Sequence, residues 1–143
     1  LITIILMHIV YFLTYDYSFK IWNESGNLSR ELNYFNKFSD FDPSICYTFI
    51  SYGDNDDFEY LNESNQIRLI PIYEHVPRFE NKLLRFVVSL YIPFVLKKIL
   101  QFESIDIIKQ NQLQGSWVAL IFKLITKKPL ITRTGYDVLT LKK

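Results

Sequence analysis

Runs of β-branched and aromatic residues alternate along this chain with segments of helical period, and that alternation is what most constrains its fold. The pattern predicts strands over His8–Thr14, Cys46–Tyr52, Ile67–Tyr73, Ile105–Lys109 and Pro129–Arg133. Between them it predicts helices over Asn27–Phe38, Asn81–Gln101 and Ser116–Thr126. Strands that alternate with helices pair in parallel, because the returning helix must cross over a face of the sheet. Right-handed crossovers on both faces give a Rossmann-like, three-layer α/β sandwich with a mostly parallel sheet, ordered around the strand at His8–Thr14. The expected core comprises Ile9, Val10, Phe12, Phe49, Ile50, Ile107, Ile108, Leu120, Ile121, Leu130 and Ile131. Pro71 makes the Ile67–Tyr73 strand an edge strand or an irregular one, and Pro93 is expected to bend the long helix.

At 143 residues the chain suits one domain. Its apolar fraction of 49% and net charge of +1 exclude disorder. One cysteine, Cys46, excludes an internal disulfide and a multi-cysteine zinc site. The first apolar stretch, Leu1–Leu13, is too short to span a bilayer and lacks a basic leader. Met7 is the expected start, with residues 1–6 an upstream extension; a short N-terminal anchor is the alternative. The small net charge conceals polarity: residues 1–64 hold 10 acidic and 3 basic side chains, residues 65–143 hold 5 and 13. A basic half suits phosphates, anionic lipid or nucleic acid, or is an ordinary solvated face.

In a doubly wound sheet, ligands meet the carboxyl ends of the strands, which directs attention to 15–26, 53–57, 110–116 and 133–137. Ser25-Gly26 precedes a helix, where glycine lets backbone N–H groups approach an anion, although a plain tight turn also accounts for it. No G-x-G-x-x-G or Walker lysine pattern is present. Asp54-Asn55-Asp56-Asp57 offers oxygen ligands, but its spacing is not that of an EF-hand and reads as a solvated turn. His8 falls in a strand and is expected to be structural, His75 in a loop, and Cys46 as a small buried hydrophobe. The helix 81–101 has an apolar face with Lys82, Arg85, Lys97 and Lys98, which fits either an anionic membrane surface or a core helix with solvated lysines.

The stretch Ile105–Asp137, IDIIKQNQLQGSWVALIFKLITKKPLITRTGYD, resembles the N-terminal domain of retaining glycosyltransferases of family 4, of GT-B architecture. The segment HIVYFLTYDYSFKIWNESGNLSREL is similar to that family's first strand, small-residue loop and following helix, which carries Arg30-Glu31-Leu32. The resemblance covers nearly the whole chain from Met7 and is strongest from Gly115 to Asp137. It implies an acceptor domain that works with a second, donor-holding domain marked by an E-x(7)-E motif. No such motif in the right context occurs here, so the resemblance implies a truncated or split form that does not transfer sugar by itself. It further implies a nucleotide-sugar donor, a glycan or lipid-linked cell-envelope or polysaccharide acceptor, and no metal or other cofactor. No nucleic-acid partner is implied, and the setting is cytoplasmic; peripheral contact at the inner membrane face through 81–101 is an expectation from that helix's own apolar face and basic residues. By residue, it assigns substrate binding to Ser25 and Gly26 in the first loop, to Asn111 and Gly115 after the fourth strand, with Gln110 beside them, and to Arg133, Tyr136 and Asp137 after the fifth. Arg133 would meet a phosphate or sugar acid; alternatively it pairs with Asp137 or closes a strand end. The family's histidine near this last position is replaced by Thr134-Gly135-Tyr136. Two other readings stand beside it: a non-catalytic Rossmann-like binding module, and a metal-dependent GT-A-type transferase using Asp54 and Asp56.

Overall fold

The computed structural model describes residues 7–61, 66–101 and 103–133. Five strands run in the order β3-β2-β1-β4-β5 and every neighbouring pair is parallel. They are β1 (Met7–Phe12), β2 (Ile45–Ser51), β3 (Ile67–Pro71), β4 (Ile107–Gln110) and β5 (Leu130–Thr132). The helices are α1 (Phe19–Glu24), α2 (Leu28–Phe41), α3 (Lys82–Ile99) and α4 (Ser116–Thr126). The chain is thus a Rossmann-like three-layer α/β sandwich with β1 at the centre of a wholly parallel sheet.

Alternation along the strands divides the core in two. Val10, Phe12, Ile50, Ile70 and Ile108 face α3 and α4, where they meet Ile92, Leu96, Val118, Ala119 and Phe122. Tyr11, Leu13, Phe49 and Leu69 face α1 and α2, meeting Phe19, Trp22, Leu28, Leu32 and Phe35. Burial on both faces explains why these strands read as nearly continuous apolar runs. Pro71 ends the edge strand β3, where its missing N–H interrupts no ladder interior. Pro93 lies within α3 and is buried.

Three expectations are corrected. Leu120 and Ile131 are exposed (48% and 53%), and Ile9, Ile107, Ile121 and Leu130 are half-buried rather than in the core. Among the described residues, the second face of the sheet is covered over β1, β2 and β3, and Ile107, Lys109 and Ile131 lie beyond the reach of α1 and α2. Leu120 sits on the outer side of α4. The predicted loop 15–25 contains the short helix α1. Asp57 is not solvated: it is 1% exposed and accepts hydrogen bonds from the Phe19 and Lys20 N–H groups, both 3.1 Å, and from the Ser51 hydroxyl, 2.6 Å. This carboxylate caps the N-terminus of α1, satisfying donors that a helix leaves open. Gly53 makes room for it, since a Cβ there would overlap the Asp57 carboxylate.

Candidate functional site

The ends of β1, β4 and β5 and the start of α2 enclose two adjoining recesses of about 350 and 270 Å³ at the carboxyl edge of the sheet. Both are bounded by Arg30, Glu31 and Arg133. Tyr11, Tyr34, Phe35 and Lys109 complete the first, and Trp22, Asn27, Asn111 and Gln112 the second. Strand topology brings Arg133 there: its N–H donates to the Gln110 carbonyl at 3.0 Å, carrying β5 pairing one step past the strand end. Lys109 points to the uncovered face of β4, its Nζ 5.7 Å from the centre of the Tyr11 ring. Arg30 and Glu31 project from the first turn of α2 and pair at 3.3 Å, with Arg30 largely solvent-exposed. The Asn27 side chain makes no capping bond to α2, and Asn27 lines the second recess, so the positive end of that helix's dipole lies beside it.

The floor is polar and held fast. The Tyr11 hydroxyl donates to Asn111 Oδ1 at 2.8 Å, and Asn111 Nδ2 donates to Thr14 Oγ1 at 3.2 Å. The Asn111 N–H bonds to the Phe12 carbonyl at 2.9 Å. Burial, then the nearby Glu31 carboxylate, pushes the Tyr11 phenol well above its ordinary pKa, which keeps it a donor. Gln110 is fully buried; its Nε2 donates to the Leu13 carbonyl at 3.3 Å, while its Oε1 has no partner among the described residues. Asn111 therefore ties the loop after β1 to the loop after β4 and sets the shape of the recess.

The two candidate glycines have local tasks. Gly26 follows the α1 C-cap Ser25 in a left-handed conformation, φ +75°, with open space where a Cβ would lie. The Ser25 hydroxyl donates to the Trp22 carbonyl at 3.0 Å and accepts from Asn27 Nδ2 at 3.1 Å. This pair lies between Trp22 and Asn27, which do line the recess. Gly115 caps α4 at φ +79° and packs on Tyr15, leaving no room for a Cβ. Asn111 and Arg133 are thus brought together, whereas Ser25, Gly26 and Gly115 do not line the recess; Gly115 instead packs on the loop after β1. Tyr136 and Asp137 lie outside the described residues.

Sequence reasoning missed Arg30 and Lys109 as site cations, since only the sheet order places them beside Arg133. It also missed Asp16, a non-glycine residue at φ 63° just after β1. Asp16 accepts from the Tyr73 hydroxyl at 3.2 Å and pairs with Arg85 at 3.5 Å. Its position directly after the first strand was the available signal. Asp54 accepts from the Asp56 N–H at 3.0 Å in a local turn, and among the described residues no cluster of three or more histidine, cysteine or carboxylate side chains is placed to hold a metal ion. His8 is buried at the opposite, amino end of the sheet and His75 is exposed after β3. Compared with protein-family models, curated proteins and solved structures, the chain has no match.

Proposed function

We propose that this chain is the acceptor-binding domain of a retaining, GT-B-type glycosyltransferase, which positions an anionic glycan or lipid-linked acceptor while a partner domain presents the nucleotide-sugar donor. The observation that carries the reading is the convergence of Arg133, Lys109 and Arg30 on one recess at the carboxyl edge of a parallel sheet, where ligands of such sheets bind. The planar fork of arginine suits phosphate and carboxylate oxygens. The exposed Tyr34 ring offers flat apolar surface to a sugar, and Glu31 accepts from sugar hydroxyls. In this reading Arg133 and Lys109 hold the acceptor's anionic group, and Asn111 positions the floor against which the sugar rests.

The test is transfer by this chain joined to a family 4 donor domain. Arg133→Ala should lower transfer by more than tenfold, a loss above about 1.4 kcal/mol of transition-state stabilisation, with an unchanged melting temperature. Unchanged transfer, or a loss that follows unfolding, removes Arg133 from the site.

A further inference from the structure

On the opposite layer, α3 and α4 carry a surface that the recess does not use. α3 buries Ser89, Ile92 and Leu96 against the sheet. Its outer side is apolar too: Leu83 and Tyr91 are 70% and 63% exposed, and Val87, Leu90 and Phe94 are exposed with them. At about 100° per residue these five side chains occupy an arc of roughly 100° on the side away from Ile92. α4 packs beside α3, with the Trp117 indole N–H donating to Ser89 Oγ at 2.9 Å and the Phe86 and Trp117 rings 5.5 Å apart. It adds exposed Leu120 and Leu124. A helix that is apolar on both sides has a second apolar surface to cover.

Charge identifies what covers it. Neither α3 nor α4 contains an aspartate or glutamate. Exposed Lys82, Lys97 and Lys98 stand at the two ends of the α3 stripe, and Lys123 and Lys127 flank Leu124 on α4. Among the described residues, Arg85 is the one cation of α3 with an ion-pair partner, Asp16. We propose that this face docks peripherally on an anionic lipid bilayer, with leucine, valine and aromatic side chains entering the boundary of headgroups and acyl chains and the lysines meeting lipid phosphates. A second copy is disfavoured as the occupant, because a two-fold contact would set the same lysines against one another. The helices would lie on the bilayer: among the described residues, no helix is long and apolar enough to cross it. This inference stands apart from the glycosyltransferase reading, since it uses neither the recess nor its residues.

The experiment is co-sedimentation of the 143-residue chain with vesicles of phosphatidylcholine alone or with about 30% phosphatidylglycerol, an anionic content that gives a bilayer a marked negative surface potential. Partition onto the anionic vesicles should be at least about tenfold stronger and should weaken with added salt. Lys97→Gln with Lys98→Gln should reduce it about thirtyfold, from the loss of two surface lysines. Val87→Ser with Phe94→Ser should also abolish it while leaving every charge in place. Lys37→Gln on the exposed side of α2 should leave it unchanged, and thermal melts confirm that each variant is folded. No sedimentation, equal partition onto both vesicle types, or a self-associated chain that Val87→Ser with Phe94→Ser renders monomeric would overturn the proposal.

Discussion

Replacing Asp57 with alanine should remove a large part of this domain's stability, and the structure sets the size of the effect. The carboxylate is enclosed and receives three hydrogen bonds, from the Phe19 and Lys20 N–H groups and the Ser51 hydroxyl. Alanine leaves all three donors without a partner. The Phe19 and Ser51 bonds are buried, whereas the Lys20 bond is half-buried and water can reach its donor in part. At about 1–3 kcal/mol for each stranded donor, with the lower end for Lys20, the loss is about 4 kcal/mol. A domain of this size is typically stable by only about 5–15 kcal/mol. In urea, with a slope of about 2 kcal/mol per molar, the midpoint should fall by about 2 M. Gly53→Ala should cost a similar amount, since its methyl group displaces the same carboxylate. The double variant should then lose far less than the two single losses together, because both remove one interaction. A loss below about 1 kcal/mol for Asp57→Ala, or full additivity with Gly53→Ala, would refute the cap.

Other outcomes follow from the same geometry. Gly115→Ala forces a side chain into a left-handed conformation and against Tyr15, so it should destabilise by about 2 kcal/mol or more, read by thermal melting. His8 is held neutral chiefly by burial, with its Nδ1 on the Ser104 carbonyl at 3.1 Å and its Nε2 on Thr48 Oγ1 at 2.7 Å; the neighbouring Glu103 is already paired with Arg68. Its folded pKa lies below the unfolded value of 6.5, so the unfolded chain takes up the proton first. Stability should therefore fall as pH drops below about 6.5, and His8→Gln should flatten that slope in urea titrations. By itself the chain should not transfer sugar from any nucleotide-sugar donor; robust turnover by the purified 143-residue chain contradicts the acceptor-domain reading.

The layered fold was legible because the central strands β1 and β2 are buried on both faces and so announce themselves by composition alone. Runs such as Ile9–Phe12 and Phe49–Ile50 need no partner to be recognised. The features that escaped depend on residues far apart in sequence. α1 has only six residues and owes its start to a carboxylate 38 positions downstream of Phe19, so no local periodicity marks it. Asp57 sits in an acidic, polar tetrad that looks solvated, and only the neighbouring helix shows why it is buried. Ile131 is as apolar as a core residue, yet its exposure depends on where α1 and α2 end over the sheet. The site shows the same division. Arg133 and Asn111 were visible because loops after parallel strands share one edge, whereas Arg30 and Lys109 join them through the lateral order of strands and the placement of α2, which no spacing rule encodes.

The central claim is that the recess bounded by Arg133, Lys109 and Arg30 takes an anionic saccharide. The most direct measurement is a nuclear magnetic resonance titration of the isotopically labelled chain with a sugar phosphate, with inorganic phosphate and with the neutral sugar. The account predicts saturable shifts at the amides of Arg30, Glu31, Asn111 and Arg133 for the sugar phosphate, weaker shifts for phosphate, and almost none for the neutral sugar. Arg133→Ala should weaken the sugar-phosphate response by about tenfold, the size expected for one charged hydrogen bond. Shifts that are absent, that map to another part of the sheet edge, or that persist undiminished in Arg133→Ala would contradict the claim.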